Sequence, residues 1–261
     1  MSTDTHFLRL WRWFTPHRLL NPASGRWIGL LRRLFPSREG RHPFDRTHRV
    51  DTGGLIYADG LSTGHEHDIH SAGYYATAPS LFRGAMERWG APLQESSFRL
   101  TDYAFVDIGC GKGRVVLLAS EYAFREVVGV ELNPHLASMA RRNLNRWMRG
   151  RRACRNVRII HGDALSFPLP DGPVVLFFFN SFEEEMVRRW VGKLAEAAAA
   201  RPATIDVIYM HPEHHKVFAA TPGIRILADT EIALSPGDAA ADAFGVSVDR
   251  CTIYRIEARQ R

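Results

Sequence analysis

Lysine is scarce in this sequence of 261 residues: only Lys112, Lys193 and Lys216 occur, and every other cation is an arginine or a histidine. With the many alanines, that bias marks a GC-rich genome and weakens any functional reading of a single arginine. Cysteine is scarcer still in usable pairs. Cys110, Cys154 and Cys251 are odd in number and far apart, which excludes a disulfide framework and suits reduced thiols in a cytoplasm. No CxxC pair exists, so a structural zinc site is not expected. No apolar run approaches the ~20 residues needed to cross a bilayer. Arginines interrupt the apolar residues near the N-terminus, so no signal-peptide pattern is expected.

What is present is unevenly distributed. The formal net charge is +6, yet residues 1–50 hold ten arginines against Asp4, Glu39 and Asp45, a balance of +7. The other 211 residues therefore sum to −1. The positive field belongs to an N-terminal arm, read as residues 1–45, and a nucleic-acid partner is not expected on overall charge. The arm contains FLRLWRWF and RWIGLLRRLF. In the second stretch Trp27, Leu30, Leu31 and Leu34 fall at helical spacing. Such a basic amphipathic piece either packs on its own domain, the favoured reading, or touches an anionic membrane surface.

Residues 46–70 read as a loop, and from Pro79 onward strands alternate with helices. Strand signals lie at Ala104–Ile108, Glu126–Glu131, Val157–Ile160, Pro173–Phe179 and Thr204–Met210. The unbroken apolar run of the fourth is expected of a central parallel strand covered on both faces. Helix signals lie at Ser80–Trp89, Arg114–Tyr122, Pro134–Arg149, Phe182–Ala200 and Pro212–Ala220, with Asn133 as an N-cap. Two further strand-like segments, Ile224–Leu234 and Arg250–Ala258, close the chain. The alternation predicts a doubly wound α/β sheet over residues 46–261.

The stretch FVDIGCGKGR places a glycine loop between a strand and a helix, the setting in which free helix N–H groups meet an anion or a nucleotide. Gly109, Gly111 and Gly113 are spaced G-x-G-x-G, unlike the G-x-G-x-x-G of dinucleotide folds. Lys112 is followed by glycine, so this is not a Walker loop either. Asp107 would repel pyrophosphate and suits a ligand with a cationic amino group. Glu131 ends the second strand, where an acid accepts ribose hydroxyls. Asp163 follows the third strand and can accept from an adenine amine, and Asn180 ends the fourth at the carboxyl edge of the sheet. Each alone could be a turn or cap residue; their shared order points to one adenosine-type ligand.

DIGCGKGR, GVELNP, HGDA and FFFNSF, in that order, resemble the motifs of class I S-adenosylmethionine-dependent methyltransferases over roughly residues 70–215. The resemblance implies a seven-stranded Rossmann-like sheet with an antiparallel last strand, and S-adenosyl-L-methionine as cofactor. It implies that Asp107, Gly109, Cys110, Gly111 and Gly113 surround the methionine part, with Glu131 at the ribose and Asp163 at the adenine. YYATAPS is similar to the segment before the glycine loop in non-SET lysine methyltransferases, including those acting on an ATP-synthase subunit, and implies cofactor contacts from Tyr75 and Thr77. Where that family segment has proline, this chain has Ala76. Many amine methyltransferases carry NPPY or DPPY after the fourth strand. Asn180-Ser181-Phe182 keeps its polar and aromatic ends without the prolines, so Asn180 and Phe182 are candidate catalytic residues and N- or O-methylation stays open.

Histidines cluster at His65, His67 and His70 and at His211, His214 and His215. No metal is expected there, because the first set lies in a loop without a helical i, i+4 pair and the second contains two adjacent histidines. His70 is the candidate substrate-side base, with His211 as the other possibility. The expected acceptor is a protein lysine or a small molecule, and the oligomeric state is open. Rival readings are a cofactor-binding protein without catalysis and a NAD-linked oxidoreductase, the second disfavoured by Asp107 and the loop spacing.

Overall fold

A computed structural model describes residues 42–56, 60–61, 63–65, 73–91, 99–179, 182–200 and 203–256. The arm lies outside them except for its last four residues. Strands β1 (Ala104–Ile108), β2 (Glu126–Glu131), β3 (Val157–His161), β4 (Val174–Phe179), β5 (Ile205–Met210), β6 (Ile224–Ala233) and β7 (Val248–Ile256) form one sheet in the order β3-β2-β1-β4-β5-β7-β6. The first five run parallel, and β7 is antiparallel to both β5 and β6. This is the doubly wound sheet that the alternation predicts, with the seven strands and antiparallel last strand that the family resemblance implies.

Apolar residues on both sides of each central strand explain the two layers of helices. Along β4, Val175 and Phe177 enter one core with Phe82, Leu117 and Ala137. Val174, Leu176 and Phe178 enter the other with Met186, Trp190 and Phe218. The first core lies under α2 (Pro79–Gly90), α3 (Arg114–Ala119) and α4 (Pro134–Trp147), the second under α5 (Glu184–Ala200) and α6 (His215–Ala219). Parallel strands bring all their carboxyl ends to one edge, and residues facing that edge can share a ligand.

Residues 46–70 are not wholly loop. Pro43–His48 is a helix, α1, started by Pro43 at its first turn and capped by the His42 side chain, which accepts from Phe44 N–H. Leu55–Ile56 and Tyr74–Tyr75 pair as a small antiparallel hairpin. A last short helix, α7 (Pro236–Ala241), interrupts the C-terminal strands.

Candidate active site

A cleft opens at the carboxyl edge where β1, β2 and β4 end, roofed by the hairpin strand Tyr74–Tyr75. The glycine loop forms its floor. Gly109 and Cys110 donate their N–H groups to the Val130 carbonyl, at 2.9 and 3.0 Å, and Gly113 closes the turn onto Cys110 at 2.8 Å. Gly111 has a φ of +54°, and a Cβ there would lie 2.1 Å from a ring carbon of Tyr74. Only glycine lets that ring sit on the loop.

Two buried carboxylates face the cleft side by side. Glu131 is pre-oriented: one oxygen accepts from Gly111 N–H at 2.7 Å and the other from Asn133 N–H at 2.8 Å. A carboxylate offers about four acceptor positions, so both oxygens can still accept from a ligand. Asp107 has no hydrogen bond to its side chain among the described residues, although it is only 4% exposed. Burial pushes its carboxyl well above its ordinary value of 3.8, and the neighbouring Glu131 pushes it the same way. Burial also raises Glu131, against the lowering effect of its backbone donors. An unpaired buried carboxylate beside a second one is costly without a cation, and a ligand with an ammonium group supplies one.

Asp163 lines the cleft and caps its own turn, accepting from Leu165 N–H at 3.0 Å and from the Ser166 N–H and hydroxyl at 3.2 and 2.9 Å. Both of its oxygens therefore begin with local donors. Thr77 is buried on the cleft wall, and its carbonyl accepts from Arg114. Tyr75 also lines the cleft, but its hydroxyl turns away to Asp242 at 2.7 Å. Phe182 is half-buried on the opposite wall with Phe179 and Met186. Cys110 is buried in the loop, and burial raises its thiol well above the ordinary range, which suits a filler of space. Asn180 and His70, with His67, lie outside the described residues.

The second histidine group separates. His214 stands at the N-cap position of α6 without a capping hydrogen bond and His215 begins the helix, while His211 follows β5 with Nδ1 2.9 Å from Asp249. Among the described residues no group of three or more His, Cys, Asp or Glu side chains is placed to hold a metal ion.

Two site residues escaped the sequence reading. Tyr74 covers Gly111 and donates its hydroxyl to the Thr52 carbonyl at 2.6 Å. Arg114, 4% exposed, donates Nε to the Thr52 hydroxyl at 2.7 Å and lies 3.6 Å from Asp45. Asp45 also accepts from Thr52 N–H at 2.9 Å and Gly53 N–H at 2.6 Å. This knot ties α1 and residues 50–53 to the start of α3. Its only signal in the sequence is an arginine directly after the last glycine of the loop.

Sheet order, loop and paired acids together define a Rossmann-like cofactor domain. Residues 105–201 match a family described as a methyltransferase domain. That segment is a methyltransferase domain, and S-adenosylmethionine is its cofactor. No curated protein matches the chain. Solved structures of similar fold include the Escherichia coli protein yhhF, at 17% identity over 72% of this chain and 94% of that one, TM-score 0.45. An RNA methyltransferase from Salinibacter ruber in complex with S-adenosyl-L-homocysteine gives 17% identity over 71% and 95%, TM-score 0.42. The YcgJ protein of Bacillus subtilis gives 14% over 67% and 100%, TM-score 0.42. Among the described residues no helix is long and apolar enough to cross a membrane.

Proposed function

We propose that this methyltransferase methylates an amine, carried by a protein or a small molecule, in a bacterial cytoplasm. The observation that carries the cofactor's place in the cleft is Asp107, a buried carboxylate without a hydrogen bond among the described residues, and the preference for an amine rests on the apolar wall of Phe179, Phe182 and Met186. Bound S-adenosylmethionine supplies an ammonium group and an electrophilic methyl on a sulfonium. In this reading Asp107 and the Gly109–Gly113 loop hold the amino-acid end of the cofactor, with Tyr75 and Thr77 on the roof. Glu131 accepts from the ribose hydroxyls and Asp163 from the adenine amine.

Methyl transfer to nitrogen is an in-line displacement: the amine lone pair forms the new C–N bond as the C–S bond breaks, and a neutral thioether leaves. The chain's task is alignment and the exclusion of water. Phe179, Phe182 and Met186 form an apolar wall at the carboxyl end of β4, suited to an amine that becomes more cationic as it is methylated. Asn180, whose position in the sequence directly follows Phe179, is assigned the acceptor nitrogen, and His70 the removal of its proton. The three thiols are all buried and unpaired, in keeping with a reducing compartment.

The test is incubation of the full chain with methyl-labelled S-adenosylmethionine and a panel of lysine-bearing proteins, small amines and phenols. Label on nitrogen, with S-adenosylhomocysteine released in equal amount, is expected. Label confined to oxygen, or no S-adenosylhomocysteine with any acceptor, would overturn the proposal.

A further inference from the structure

The near-zero charge of the body conceals a sharp segregation. Between Leu132 and Gly162 there are eight arginines, at positions 141, 142, 146, 149, 151, 152, 155 and 158, and not one aspartate or glutamate. That segment alone carries +8, so the other residues after position 50 sum to −9. A genome's preference for arginine over lysine explains the type of cation. It does not explain the missing carboxylates.

The structure gathers these residues on one face, at the β3 edge of the sheet. Arg142 and Arg146 lie four residues apart on α4, hence on the same side of the helix. Arg149, Arg151 and Arg155 follow in the connection to β3, and all five are exposed. The Arg141 guanidinium bonds the Ile159 carbonyl of β3 at 3.3 Å, which fixes the helix beside the edge strand. Arg152 folds back over the Trp147 ring, 3.9 Å from its centroid, and holds the connection against the end of α4. Within the segment the ion pair formed is Arg158 with Glu126; Arg146, Arg149, Arg151 and Arg155 have no carboxylate partner among the described residues.

Crowded like charges oppose folding unless an anion neutralises them. The large hydrophobic residues most exposed among the described ones are Ile226 and Val248, on β6 and β7 toward the opposite edge of the sheet. A membrane contact needs an apolar group to insert, and a stable protein interface needs an apolar or aromatic anchor. Among the described residues this face offers neither. Guanidinium groups in a row without apolar neighbours match phosphates in a row.

We propose that the face formed by α4, residues 148–156 and β3 binds the phosphate backbone of a nucleic acid, and so holds the methyltransferase on a nucleic-acid partner. Its helix α4 begins at the cleft residue Asn133, and the arginines gather toward the other end of that helix, about 20 Å from the cleft.

The test compares the full chain with the full chain carrying Arg146→Gln, Arg149→Gln, Arg151→Gln and Arg155→Gln, exposed residues outside the cleft. The probes are a fluorescent 20-nucleotide oligouridylate and vesicles of phosphatidylglycerol with phosphatidylcholine, each over a range of salt. We expect the quadruple variant to bind the oligonucleotide at least ~10-fold more weakly near 0.1 M salt. Its log–log salt slope should flatten by about 2 to 3, since each single-strand phosphate contact contributes roughly 0.7. Melting temperature should hold or rise as the repulsion is relieved, and S-adenosylmethionine affinity should stay as in the parent, which separates this inference from the assignment of the cleft. Unchanged oligonucleotide affinity and slope would overturn it, by placing all such binding elsewhere in the chain. So would a variant that loses vesicle binding while keeping the oligonucleotide.

Discussion

Asp107 carries opposite consequences for stability and for binding. Its carboxyl is raised by burial and by Glu131, so the folded apo chain holds a proton that the unfolded chain releases. Apo stability should therefore fall as pH rises from the ordinary 3.8 through the raised folded value. A cationic ligand favours the ionised form. Cofactor affinity should accordingly strengthen over the same rise in pH, with a proton released on binding, and Asp107→Asn should abolish that dependence while raising the apo melting temperature. Calorimetry in buffers of different ionisation enthalpy measures both effects. At Glu131 the expectation differs, because the amide of Glu131→Gln would set its own N–H₂ against Gly111 or Asn133 N–H. We expect at least a tenfold loss of affinity, about 1.4 kcal/mol. That Asp107, Glu131, Gly109 and Gly111 meet at one cleft was legible because strand ends and glycine spacing are local signals, whereas Gly113 turns toward Ala140. Tyr74 was not, because its role depends on a ring from the preceding hairpin settling on Gly111, and no local pattern records that contact.

At the scale of elements, β1 and β2 fall on the residues their apolar runs predict, and β3, β4 and β5 differ by one residue at an end. Each is a short apolar segment between clear breakers. α1 was hidden inside a polar stretch, since what holds it is tertiary: Phe44 is 7% exposed in the core, and Asp45 is locked to Thr52 and Arg114. Deleting residues 1–50 should therefore lower the melting temperature well beyond the effect of deleting residues 1–41, because only the longer cut removes Phe44, Asp45 and Val50. Paired thermal melts of the two truncated chains check this. A second tie joins α2 to the sheet far from the cleft. Asp206, fully buried on β5, accepts from Trp89 at 2.9 Å and from two Arg255 nitrogens at 2.7 and 2.9 Å. Asp206→Ala leaves the Arg255 guanidinium without its carboxylate, so about 3–5 kcal/mol of stability should be lost in denaturant titration. Cofactor affinity per folded molecule should not change.

Seen whole, the molecule separates three tasks along one sheet. The carboxyl ends of β1, β2 and β4 make the cleft proposed for the cofactor, the antiparallel β7–β6 pair completes the far edge, and the β3 edge carries the arginines. Total charge could not reveal this arrangement, since a sum over residues discards position. The acid pair that strains the apo cleft should also make the cofactor a strong stabiliser: at one hundred times its dissociation constant, binding contributes about 2.7 kcal/mol. The most direct test of the account is calorimetric titration of S-adenosylmethionine into the full chain and into Asp107→Asn at neutral pH. It predicts one saturable site in the parent and at least tenfold weaker binding in the variant, whose apo form melts higher. Equal affinity in both proteins, or no binding by the parent, would contradict it.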